Sequence, residues 1–167
     1  MARDVDRFEF VPEAPGRVLE WMDRLTAAAD GWINLMPGVD EEEADQPTAP
    51  GAFAALFGPS HAPVTMCTWL PRRPGRRGGE WPTVGIAHPR GRFAIRQLAT
   101  MGVPLAEGWQ VRQDHARRGL IVLAPPEAPH AEVLDWALRA GTALAMVPLT
   151  GSWQAEVYQP VRPRRSR

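Results

Sequence analysis

The side chains best suited to chemistry in this sequence are His88 and His115, with Asp114 beside the second and Arg90, Arg92, Arg117 and Arg118 close by. An imidazole next to a carboxylate can move a proton near neutral pH, and guanidinium groups bind phosphate or carboxylate through paired hydrogen bonds. The surrounding segments predict how these groups meet. Thr83–His88 reads as a strand, and Arg92–Met101 as a helix with Ala94, Ile95, Leu98, Ala99 and Met101 at helical spacing. Trp109–Gln113 alternates as a second strand. If the two strands run parallel in one sheet, the helix is their crossover and both strands end at one edge. His88, Arg90, Arg92, Asp114, His115 and Arg117 are therefore expected to line a rim for an anionic ligand, beside the free N–H groups of the helix. The rim also has plainer explanations. His88 shares the phase of Val84 and Ile86, as a hydrogen-bonded core residue would, and Asp114 to Gly119 has the composition of a polar turn. No residue is assigned a catalytic role.

Other chemistries are excluded more sharply. All 19 basic residues are arginine, so Schiff-base chemistry has no amine and the standard phosphate loop has no lysine. The run from Gly85 to Arg92 sits between strand and helix like a phosphate loop, but it is one residue too long and carries arginine at the lysine position. Ser60, in Gly58-Pro59-Ser60-His61-Ala62, lacks the glycine and preceding strand of a nucleophile elbow. His61, His88, His115 and His130 are too scattered for a metal motif. The one cysteine, Cys67, lies in the apolar run Val64–Leu70, where a thiol is ordinarily inert, and it has no disulfide partner in the chain. No cofactor and no metal are expected.

The chain of 167 residues is 44% hydrophobic and 23% charged, the proportions of one globular domain with a real core. Its net charge is zero and its pI is near 6.9, which argues against a dedicated nucleic-acid or anionic-membrane binder. Met1–Phe10 has no apolar signal region and no window is long and apolar enough to span a membrane, so a soluble, cytoplasmic protein is expected.

The remaining elements follow from periodicity. Pro15–Asp30 is a helix with Val18, Trp21, Met22, Leu25 and Ala29 on one stripe, and Trp32–Met36 is a short strand closed by Pro37-Gly38. Residues 37–51 read as an acidic loop, with Asp40, Glu41, Glu42, Glu43 and Asp45, and a short helix is possible at Ala52–Phe57. Val64–Leu70 is apolar on both faces and should be central. Residues 71–80 form a basic hairpin loop carrying Arg72, Arg73, Arg76 and Arg77. Leu120–Ala124 pairs with the preceding strand, Glu132–Val147 is the longest helix, and Trp153–Tyr158 is a final amphipathic strand. Residues 1–14 are left as an N-terminal arm and 160–167 as an arginine- and proline-rich tail, flanking one α+β domain over 15–159. The expected order is α-β-β-β-α-β-β-α-β. It describes a largely antiparallel sheet of about six strands with three main helices mostly on one face.

Such a sheet leaves its other face to water or to a partner. The residues expected there are Gln110, Arg112, Gln154, Glu156 and Tyr158, with Trp81 as an anchor at a strand start. The other tryptophans are assigned to the core. The basic loop and tail could attract nucleic acid, but the acidic loop can neutralise them and no aromatic is interleaved with the arginines. Over residues 15 to 147 the order of elements is similar to that of the bacterial type III secretion chaperone-like fold. The resemblance is one of architecture, implies client or partner binding by analogy, and assigns no residues. The expected function is thus that of a non-catalytic protein-binding or chaperone-like accessory module, engaging a protein partner or its own copy as a homodimer. The alternative is a small enzyme or binding protein for an anionic phosphate or carboxylate ligand at the rim of His88, Arg90, Asp114 and His115.

Overall fold

The computed structural model describes residues 3–40, 64–75 and 79–160. Its elements run β1 (Arg3–Phe10), α1 (Gly16–Ala28), β2 (Trp32–Val39), β3 (Met66–Leu70), β4 (Thr83–Ala87), α2 (Ala94–Thr100), β5 (Gln110–His115), β6 (Gly119–Leu123), α3 (His130–Leu144) and β7 (Leu149–Pro160). The seven strands form one sheet in the order β1-β7-β2-β3-β4-β6-β5, with every neighbouring pair antiparallel. The fold is α+β, with one strand more than expected.

The additional strand is β1, which replaces part of the expected N-terminal arm. It pairs with β7 from Arg3↔Pro160 to Phe10↔Trp153. Because β1 is an edge strand, only Phe8 and Phe10 reach the core cluster. Arg3, Asp4, Asp6, Arg7 and Glu9 interrupt its alternation and hide the strand in the sequence. A second difference concerns β2, which continues through Pro37 and Gly38 to Val39 with a register shift between Pro37 and Val39. A bulge is where a strand tolerates proline. The acidic loop expected from 37 therefore starts later, and residues 41–51 of it lie outside the described residues, as do the possible helix at 52–57 and the tail at 161–167.

One face of the sheet is dry. Along it lie Trp153, Ala155 and Val157 of β7, Ile33 and Leu35 of β2, Cys67 and Trp69 of β3, Val84 and Ile86 of β4, and Leu120 and Val122 of β6, all buried. The register puts these residues opposite one another strand by strand. All three helices close this face. α1 contributes Val18, Met22 and Leu25, α2 contributes Ala94 and Leu98, and α3 contributes the largest buried set, from Val133 to Leu144. α3 touches both other helices as well as β2, β3 and β4. Its closest approach is at Gly141, where an added Cβ would stand 2.8 Å from Trp153 and 2.9 Å from the Cys67 sulfur. Two bonds fix the contact. Thr65 Oγ1 donates to the Gly141 carbonyl at 2.7 Å, and Cys67 Sγ donates to the Ala137 carbonyl at 3.4 Å. No helix among the described residues is long and apolar enough to cross a membrane.

Candidate functional site

β4 and β5 do run in the same direction, but they are not neighbours: β6 lies between them and is antiparallel to both. α2 carries the chain across, so His88, Asp114 and His115 arrive at one rim. What they do there is structural. The Asp114 carboxylate accepts the N–H groups of Ala94 at 3.0 Å and Ile95 at 3.1 Å, and so occupies the start of α2 where an anion was expected. Arg90 donates to the carbonyls of Ala143, Leu144 and Ala145, completing the C-terminus of α3. His115 Nδ1 accepts the backbone N–H groups of Arg117 and Arg118 and shapes the β5–β6 turn. His88 is half-buried. Its Nδ1 accepts the Arg90 N–H, which places the ring proton on Nε2, a buried atom with no partner among the described residues. Burial pushes the His88 pKa below the ordinary histidine value, and the nearby Asp114 charge opposes that shift. Arg92, Arg117 and Arg118 are exposed.

The position of Asp114 depends on an irregularity that spacing does not reveal. The β5–β6 register slips between Val111 and Gln113, leaving Arg112 as the extra residue. Regular alternation would place Gln110, Arg112 and Asp114 together on the wet face. The bulge instead sets Gln113 opposite Ile121 on that face and Asp114 opposite Leu120 on the helix side.

The opposite face of the sheet has no helix among the described residues. Gln154, Glu156 and Tyr158 lie there on β7, as expected. Gln110 and Arg112 are exposed but belong to β5 at the far edge, with β2, β3, β4 and β6 intervening. Trp81 is half-buried just before β4, and its carbonyl accepts the Thr83 hydroxyl. The expected single wet patch is therefore two regions of one face. Nor is Glu156 wet: it is only 7% exposed. Its carboxylate accepts Arg7 Nε at 2.8 Å and the Tyr158 hydroxyl at 3.0 Å, and this pairing raises the Arg7 pKa.

Three residues of this face were not anticipated. Trp32, assigned to the core from sequence, stacks on Tyr158 with centroids 4.7 Å apart and planes 13° from parallel. The Arg3 guanidinium lies over the Trp32 ring, 4.7 Å from its centroid, and Arg7 pairs with Glu156. The alternation of β2 holds the missed signal. Ile33 and Leu35 take the core phase, which leaves Trp32, Asn34 and Met36 on the open side. Thr68 donates to Asn34 at 2.9 Å, linking β3 to this layer. Other open-side positions of the inner strands include Met66, Leu70, Thr83, Gly85, Ile121 and Leu123, each partly exposed.

His130 and Cys67 lie away from this rim and this face. His130 joins α3 to α1 through Asp23 at 2.7 Å and Thr26 at 3.2 Å. Cys67 is fully buried, and burial pushes its pKa up to about 12, away from the thiolate form. Among the described residues no group of three or more His, Cys, Asp or Glu side chains is placed to hold a metal. The void enclosed by α1, α3 and the sheet is about 10 Å³ and lined by apolar side chains such as Val18, Met22 and Trp69. In comparison with known proteins, the chain matches no family model, no curated protein and no solved structure.

Proposed function

We propose that this chain is a non-catalytic protein-binding module that uses the open face of its sheet, and that it pairs through that face with a second copy of itself. The observation that carries this reading is the chemistry of the face. Across the inner strands β7, β2, β3, β4 and β6, the only formal charge on the open side is Glu156, and Arg7 neutralises it. The rest is Trp32, Met36, Tyr158, Met66, Leu70, Ile121 and Leu123 among small or uncharged polar groups. A face built for water carries charge at alternate positions, whereas depletion of charge around aromatic and methionine side chains is the pattern of an interface core.

The alternative, an anionic ligand at the rim, has less behind it. The helix amides there are already satisfied by Asp114, and Arg90 is committed to α3. Sedimentation equilibrium tests the proposal. The purified chain is expected to dimerise reversibly, and Ile121→Asp on the open face to give monomers without loss of thermal stability. A chain that stays monomeric up to about 100 μM, a range in which contacts of ordinary interface size show themselves, and that captures no partner, contradicts it.

A further inference from the structure

The ends of the sheet differ in charge. Between His88 and Gly119 the chain holds Arg90, Arg92, Arg96, Arg112, Arg117 and Arg118 against only Glu107 and Asp114, although the whole chain has zero net charge. Asp114 is held by the amides of α2 and Arg90 by the carbonyls of α3. The other five arginines are exposed. Among the described residues the ion pairs involve β1, α1, α3, Asp30 and Glu156, and none involves these five guanidinium groups.

They surround an edge strand. β5 closes the sheet, so among the described residues one side of its backbone has no strand partner. Arg112 stands in its bulge and Arg117 and Arg118 in the turn that follows it, while Arg92 lies just before α2 and Arg96 within it, and α2 packs on β5. Apolar groups lie among them: Val111 is 44% exposed and Phe93 is 59% exposed, with Arg96 5.3 Å over its ring. Phe93 holds this position with a left-handed backbone, φ 62°, which a bulky residue rarely adopts. The opposite edge, β1, is built otherwise, with charges of both signs that are largely paired within the chain.

We propose that the β5 edge is a second binding surface, which takes an extended acidic polypeptide segment as an added strand. Backbone hydrogen bonds to β5 would supply the pairing, and the unpaired arginines would select carboxylates on the incoming strand. Charge complementarity also rejects the obvious competitor. A second copy of β5 would bring Arg112, Arg117 and Arg118 against their own kind, and the bulge further deters edge-to-edge pairing with a neutral strand. This surface is distinct from the open face, so each proposal can fail without the other.

Fluorescence anisotropy on the full chain tests it, with a labelled peptide of about ten residues alternating glutamate and valine as the probe. Saturable binding is expected, weakened at least about tenfold by the triple reversal R112E/R117E/R118E and unchanged by Arg24→Glu on α1. Should the triple variant fold poorly, Arg112→Gln alone is expected to weaken binding measurably, and raising salt from about 50 to about 300 mM to weaken the wild type about tenfold. Alternating proline for valine keeps the charge and removes strand hydrogen bonding, and is expected to lose binding at least about tenfold. Absence of peptide binding, equal binding of the proline peptide, or equally tight binding of a single-stranded oligonucleotide of the same charge would each overturn the proposal.

Discussion

Asp114 shows how one side chain can settle a question that its neighbours leave open. Its carboxylate bonds two amides at the start of α2, a helix of only 7 residues that has little stability of its own. Asp114→Ala is expected to cost about 1–2 kcal/mol in urea unfolding, the range of a lost helix cap, with Asp114→Asn retaining part of it. His88 makes a prediction with a definite sign. Its folded pKa lies below its unfolded value near 6.5, so the unfolded chain takes up the proton first as pH falls. Stability is therefore complete above about pH 6.5, declines as pH drops toward the folded pKa, and levels off below it. His88→Gln should flatten that part of a plot of Tm against pH; an unchanged slope would mean that His88 is not the group responsible. At this scale the sequence was legible in residue type and not in role. His88, Asp114 and Arg90 do share a region, but which amide or carbonyl each one meets depends on α2 and α3 arriving there, and spacing carries no such information.

At the scale of elements, hydrophobic period carried most of the fold. The stripes of α1 and α3 and the apolar runs of β3 and β6 are each long enough to fix type and face. Two elements escaped for physical reasons. β1 owes its strand conformation to the length of β7, whose 12 residues pair with β2 on one side and leave hydrogen bonds to fill on the other. In β5 a single inserted residue reverses the phase of everything after it. The seating of α3 is a further feature that composition cannot show, since glycine within a helix ordinarily reads as a defect. Gly141 is there because Trp153 and Cys67 leave no room for a Cβ. Gly141→Val is expected to destabilise the fold by about 1–3 kcal/mol through overpacking, against the gain that helix propensity alone forecasts. Phe93→Gly runs the other way. Relief of the left-handed backbone should leave stability unchanged or raise it by up to about 1 kcal/mol, a difference that thermal unfolding resolves.

For the molecule as a whole, the layered arrangement separates its tasks. One face of the sheet is closed by helices and supplies the core. The other is neutral and mixed in polarity, and one edge carries arginines that form no ion pair among the described residues. The sequence already implied a sheet covered on one side, because strands such as β7 alternate so cleanly. It did not imply that Trp32 belongs to the uncovered side or that Glu156 is sheltered there by Arg7, since both facts depend on β1 and β2 flanking β7. The stack of Arg3, Trp32 and Tyr158 makes that side its own reporter.

The most direct measurement is therefore a dilution series followed by amide and indole NMR, from about 10 μM to about 1 mM, which brackets the affinities of ordinary reversible dimers. Concentration-dependent shifts confined to the Trp32 indole and to Asn34, Thr68, Ile121 and Tyr158, with the helical face unmoved, are the predicted result. Shifts that fall instead on α1 and α3, or an open face unchanged across the whole series, would contradict the account.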